Sequence, residues 1–141
     1  MSTYIDSSFL VSLYLTDEHS RGARHRVLSS SVTLFTPLHQ AEWSHAVAQH
    51  VFRKELSPTE AESVESQLRD DLAAGVWVRA DLPENALEVC ADLGRRWVPK
   101  LGVRTLDTLH VACALQFKVE QFLTFDHRQR QLAKAVGLRT R

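Results

Sequence analysis

Four acidic residues, Asp6, Glu42, Asp107 and Asp126, occupy positions from which they can act together. Asp6 follows the β-prone Thr3-Tyr4-Ile5, and Asp126 follows Phe122-Leu123-Thr124-Phe125. Asp107 falls in the first turn of an expected helix, and Glu42 about two turns into another. In open parallel sheets ligands bind beyond the carboxyl ends of the strands, so acids at strand ends and nearby helix starts can converge there. Carboxylates a few ångströms apart repel and raise one another's pKa unless a cation lies between them. Oxygen donors without a His or Cys set suit Mg2+, or Mn2+, rather than structural zinc. Such an ion makes hydroxide available near neutral pH and neutralises charge building on a phosphate, which is the chemistry of phosphodiester hydrolysis. Four carboxylates suffice for two ions, and one ion serves if the others position water. Each acid also has a plainer explanation alone. Asp126 and Asp6 can cap helices, Asp107 can answer a helix dipole, and Glu42 can be a solvated helix residue.

The elements that must position these acids alternate along the chain. Thr3 to Ile5 starts a strand, and SSFLVSLYL follows as a helix with Phe9, Leu10, Leu13 and Tyr14 at helical spacing. A further helix is expected over Ser20 to Leu28 and a strand over Ser31 to Phe35. Thr36-Pro37 has the form of an N-cap with proline at the first helical position, opening a helix to about Glu55. Ser57-Pro58-Thr59-Glu60 is a capping box, and its helix ends near Gly75. Val76 to Val78 is expected as a strand, and Pro83 opens a helix to about Trp97, with Pro99 and Gly102 marking a loop. Thr105 is expected to cap the helix of Asp107 to Phe117. A strand over Gln121 to Phe125, a helix from Asp126 to Gly137 and a strand over Leu138 to Thr140 complete the chain. Short apolar strands alternating with helices predict an α/β domain of three layers, a short parallel β-sheet flanked by helices.

Bulk properties agree with one domain over residues 1–141, with 44% hydrophobic and 24% charged residues. No apolar run approaches the roughly 18 residues that span a bilayer, and MSTYIDSSFL lacks the basic start of a signal peptide. Cys90 and Cys113 are expected as buried thiols, which with the missing signal points to a cytoplasmic protein. The net charge is zero, but its distribution is uneven. Residues 55–92 carry ten acidic and two basic side chains, whereas residues 95–141 carry ten basic and three acidic. The basic third offers phosphate contacts, with a solvated basic face as the plainer reading. Arg95, Arg96, Lys100 and Arg104 flank Asp107 and form the candidate phosphate-binding rim.

Four segments in order, YIDSSFLVSLY, TPLHQAEWSHAV, RTLDTLHVACAL and FLTFDHRQRQLAKAVGL, resemble the PIN-domain nucleases over nearly the whole chain. The resemblance is particularly to the VapC-type ribonuclease toxins of bacterial toxin–antitoxin pairs. It implies a Mg2+-dependent endoribonuclease, a homodimer and a cognate antitoxin protein. By the same resemblance Asp6, Glu42, Asp107 and Asp126 match the acidic metal-site positions, with Asp6 and Asp107 as the most direct ligands. Ser7 matches the hydroxyl residue after the first acid, and Thr124 a small polar position supporting the cluster. Two residues depart from the family pattern. His45 stands where Asn is common, and Trp97-Val98 stands where a small polar or His-containing pair is common.

The remaining chemistry-bearing residues read as packing. The seven histidines show no zinc-ligand spacing, and His110, one turn from Asp107, is expected to be a hydrogen-bonded core residue. Trp43, Val47 and Val51 make a stripe suited to a core. Phe9, Leu10, Leu13 and Tyr14 suit either a core or a partner surface. Two other functions compete: a catalytically inactive PIN-like RNA- or protein-binding module, and an α/β phosphatase or phospho-acceptor domain. Haloacid-type phosphatases need a second Asp two residues after the first, and Ser8 stands there.

Overall fold

The computed structural model describes residues 1–15 and 32–140. The helix expected over Ser20 to Leu28 lies outside the described residues. Along the described chain run β1 (Ser2–Ile5), α1 (Ser7–Leu15), β2 (Val32–Phe35), α2 (Pro37–Phe52), α3 (Pro58–Ala73) and β3 (Val78–Arg79). They are followed by α4 (Ala86–Leu101), α5 (Thr105–Gln116), β4 (Gln121–Leu123), α6 (His127–Ala135) and β5 (Arg139–Thr140). The chain forms two compact units, Ser7–Ala80 and Met1–Asp6 with Asp81–Arg141.

The unit containing both termini is built on parallel pairings of β4 with β1 and with β5. The register sets Tyr4 opposite Phe122 and Ile5 opposite Leu123. Asp6 then donates its backbone N–H to the Leu123 carbonyl at 3.2 Å. Because the strands are parallel, Asp6 and Thr124 leave the ladder on the same side. Tyr4, Val111, Ala112, Cys113, Phe122 and Leu132 are fully buried. A large apolar side chain buried this way stabilises the fold by about 1.5–3 kcal/mol. The run Thr108 to Ala114 is buried on every side of α5, so the helix lacks the single apolar stripe of a surface helix. His110 lies in this core, its Nδ1 2.7 Å from the Tyr4 hydroxyl. Cys90 and Cys113 are buried free thiols.

In the other unit, β2 and β3 pair in parallel, and α1 packs on α2. Trp43 and Val47 are buried, and the Trp43 indole donates to Glu65 Oε2 at 3.0 Å, tying α2 to α3. Tyr14 lies edge-on to Trp43 with centroids 5.0 Å apart. Its hydroxyl donates to Asp71 Oδ2 at 2.5 Å and accepts from Trp77 Nε1 at 2.6 Å. Phe9 and Leu13 are half-buried.

Several boundaries differ from the sequence expectation. The helix opened by Thr36 stops at Phe52 rather than Glu55, because Lys54 turns to φ 60° and Glu55 N–H returns to the His50 carbonyl at 2.9 Å. The third strand is Val78–Arg79, not Val76 to Val78, and Trp77 is instead a buried anchor. The helix expected to begin at Pro83 starts at Ala86 and runs through Pro99 to Leu101. Proline near a helix end removes only one donor. The stop is Gly102, whose φ of 67° suits glycine and whose N–H caps the Val98 carbonyl at 2.8 Å. Thr105 is not the cap of α5 but its first residue, with Arg104 at the N-cap position. The fourth strand ends at Leu123, two residues short of Phe125, and the fifth begins at Arg139 rather than Leu138. No helix among the described residues is long and apolar enough to cross a membrane.

Candidate active site

Asp6 is 2% exposed at the end of β1. Thr124, equally buried, donates its hydroxyl to Asp6 Oδ2 at 3.2 Å and accepts the Asp126 backbone N–H at 3.0 Å. Asp126 caps α6 by accepting Gln129 N–H on Oδ1 at 2.8 Å, as its place before the helix requires. The buried Gln129 then donates its side-chain amide to the Asp107 carbonyl at 3.0 Å. One hydrogen-bonded chain thus runs Asp6, Thr124, Asp126, Gln129, Asp107, joining three of the four acids expected from the sequence. Arg130 reinforces it by donating from Nη2 to the Thr124 carbonyl at 2.6 Å.

Asp107 and Asp126 line an open recess of about 470 Å³, together with Arg104, His127 and Arg128. Arg104 Nε is 3.7 Å from Asp107 Oδ2, with the arginine side chain 85% exposed and the carboxylate 25% exposed. So exposed a pair contributes at most about 1 kcal/mol and can yield to a stronger partner. The other basic candidates are not among the residues that line the recess. Arg95 is paired with Asp92, Arg96 is exposed, and Lys100 lies over the Trp97 ring with Nζ 5.5 Å from its centroid.

Glu42 and Ser7 belong to the second unit, where the Ser7 hydroxyl donates to Glu42 Oε1 at 2.8 Å. His45 stands on the same helix, its Nε2 3.3 Å from the Gln49 side-chain nitrogen on an exposed face. His39 completes a capping box with Thr36, to which the sequence reading assigned no role.

The donor set has the hard, oxygen-only character that suits Mg2+ or Mn2+. Among the described residues no group of three or more His, Cys, Asp or Glu side chains is already gathered as a metal cage. Mg2+ does not require one, since it commonly uses one or two carboxylates and keeps several waters.

Sequence reasoning missed Gln129, Arg128 and Arg130. Asp126 followed three residues later by Gln is a capping signal that was available in the sequence. The second bond of Gln129, to a carbonyl 22 residues earlier, has no local signature.

The PIN domain profile matches residues 3–135. The chain belongs to the PIN domain family. Its α/β architecture with parallel strands is that of the family, as the sequence led us to expect. Among solved structures, a chain of the VapBC2 complex from Rickettsia felis, bound to a DNA fragment from their promoter, is similar with TM-score 0.69 and 12% identity. That likeness covers 100% of this PIN chain and 98% of the other. FitAcB from Neisseria gonorrhoeae gives TM-score 0.65 and 17% identity, covering 98% and 95%. Mycobacterium tuberculosis VapC20, described as a sarcin-ricin loop cleaving toxin, gives 0.64 and 14%, covering 96% and 95%. At these identities the likeness to the solved structures is one of fold. No curated protein matches the chain by sequence.

Proposed function

We propose that this PIN protein is a Mg2+-dependent endoribonuclease, with Mn2+ able to substitute, and the toxin of a toxin–antitoxin pair. The observation that carries the reading is the hydrogen-bonded chain from Asp6 to Asp107 beside an open recess with arginines at its edge. Asp6, Asp107 and Asp126 would hold the ion, whose chemistry when bound is to activate water and neutralise charge on the scissile phosphate. Thr124 keeps Asp6 and the start of α6 in register, and Gln129 keeps Asp107 level with Asp126. Glu42, supported by Ser7, is assigned as the fourth acid on the family resemblance and is tested by its own Glu42→Gln variant. Arg104 at the recess, with Arg95, Arg96 and Lys100 on and beside the end of α4, would meet RNA phosphates.

The VapBC and FitAcB neighbours support an antitoxin partner, and the toxin description of VapC20 supports RNA as the substrate. A cytoplasmic homodimer fits the same reading, and light scattering of the isolated chain is expected to give the mass of two subunits.

The deciding experiment is RNA cleavage by the purified chain with Mg2+ or Mn2+, stopped by EDTA. Asp6→Asn keeps the size and loses the charge, so cleavage should vanish while RNA binding remains. Full cleavage by metal-supplied Asp6→Asn would overturn the assignment of the site. Absence of cleavage from the parent on all RNAs tried, with binding intact, would favour an inactive binding module.

A further inference from the structure

We infer that Arg104 is a shared cation that couples metal uptake to RNA binding. It pairs with Asp107 until a divalent ion takes that carboxylate, and then turns to an RNA phosphate beside Arg128. The inference rests on the ribonuclease reading and adds how the site is readied for its substrate.

Asp107 and Asp126 each have an arginine close by in the chain, Arg104 three residues before the one and Arg128 two residues after the other. All four residues line the same recess. The two arginines are held differently. Arg104 Nε stands 3.7 Å from Asp107 Oδ2, beyond hydrogen-bond length, with the arginine side chain 85% exposed. Arg104 occupies the N-cap position of α5 without a side-chain capping bond, so its guanidinium can leave without disturbing the helix start. Arg128 is also exposed, and its Nη1 donates to the Gly102 carbonyl at 3.5 Å, at the C-terminal end of α4. Gly102 is two residues from Arg104, about 7 Å of backbone at most, so Arg128 is anchored beside the base of Arg104.

Charge decides what this arrangement does. The two carboxylates and the two guanidinium groups balance, which gives a phosphate little reason to enter. A divalent ion at the acids leaves a positive surplus and competes with Arg104 for Asp107. An exposed ion pair of this kind is weak, whereas a guanidinium meets a phosphate with two parallel hydrogen bonds. Arg104 therefore gains more from the phosphate than from the carboxylate once the ion is in place. Arg128, seated on a carbonyl, offers its charge to RNA with or without the ion.

Two measurements on the full chain test this, neither of them cleavage. Mg2+ alone, titrated calorimetrically, should bind Arg104→Gln about two- to fivefold more tightly than the parent, the range set by removing an exposed ion pair. Arg128→Gln should change that affinity less. RNA binding is then read against salt concentration in the Asp6→Asn background, with a short unstructured RNA. At saturating Mg2+, Arg104→Gln should flatten the logarithmic salt slope by about 0.7, the share of one single-strand phosphate contact, and Arg104→Lys should restore it. In EDTA, Arg104→Gln should leave the slope unchanged, while Arg128→Gln should flatten it in both buffers. Mg2+ binding to Arg104→Gln no tighter than to the parent would overturn the inference, as would an equal loss of slope with and without Mg2+. If the parent takes up no Mg2+, or Asp6→Asn binds no RNA, the ribonuclease reading falls and the inference with it. If both bind and Arg104→Gln alters neither, only the inference falls.

Discussion

Replacing Tyr14 by phenylalanine should be among the most damaging single-atom changes in the unit Ser7–Ala80. The hydroxyl donates to Asp71 Oδ2 at 2.5 Å and accepts from Trp77 Nε1 at 2.6 Å. Tyr14, Asp71 and Trp77 are 6%, 3% and 1% exposed, so water has little access to replace either bond. A hydrogen bond to a carboxylate is worth about 1.5–3 kcal/mol and a neutral one about 0.5–1.5 kcal/mol. Their joint loss should therefore cost about 3 kcal/mol, with the rings and their edge-on packing retained. Against a typical stability of about 5–15 kcal/mol this is a large fraction, and it should lower the melting temperature by roughly 10 °C. Asp71→Asn keeps an acceptor for the hydroxyl and should cost less. Urea unfolding of the three proteins, with the slope compared as well as the midpoint, provides the measurement. A Tyr14→Phe protein within about 0.5 kcal/mol of the parent, the range of an ordinary surface change, would show that the triad contributes no more than packing.

Three other outcomes follow from the same geometry. Burial pushes the Cys113 thiol up to about 11, despite a hydrogen bond with Tyr4 that acts the other way, and Cys90 shifts upward for the same reason. The folded thiol holds its proton to higher pH than the unfolded one, so this contribution is complete below about pH 9 and is lost as pH rises toward 11. Two pH units correspond to about 3 kcal/mol for Cys113, and Cys113→Ala should flatten the alkaline limb of the urea midpoint. Gln129→Ala should cost about 1–2 kcal/mol through the lost bond to the Asp107 carbonyl and reduce RNA cleavage more than it weakens RNA binding. Asp107→Asn should change stability without metal by less than about 1 kcal/mol, since the Arg104 pair it breaks is exposed. The same variant should abolish the rise in melting temperature that Mg2+ gives the parent by mass action, a result readable by thermal shift without any RNA.

Features governed by neighbours in the chain were legible in the sequence. Ser57 and Glu60 form their reciprocal capping box, in which the Ser57 N–H and hydroxyl hold the Glu60 carboxyl below its usual range. Thr36 caps α2 and Asp126 caps α6 for the same reason, because an N-cap needs only a short polar side chain and the next turn of backbone. The apolar runs Tyr4-Ile5 and Phe122-Leu123 read as strands, and their parallel pairing explains why Asp6 and Thr124 emerge together. Local signals misled where they competed with packing. Pro99 looks like a helix end, yet α4 continues past it to Gly102. Three contacts were decided only by the tertiary structure: Thr124 to Asp6 across 118 positions, Tyr14 to Asp71 across 57, and Gln129 to Asp107 across 22. Glutamine after a capping aspartate looks the same in sequence whether its amide faces water or a distant carbonyl. The choice is made when the core closes around it, because a buried amide must find a partner wherever the packing places one.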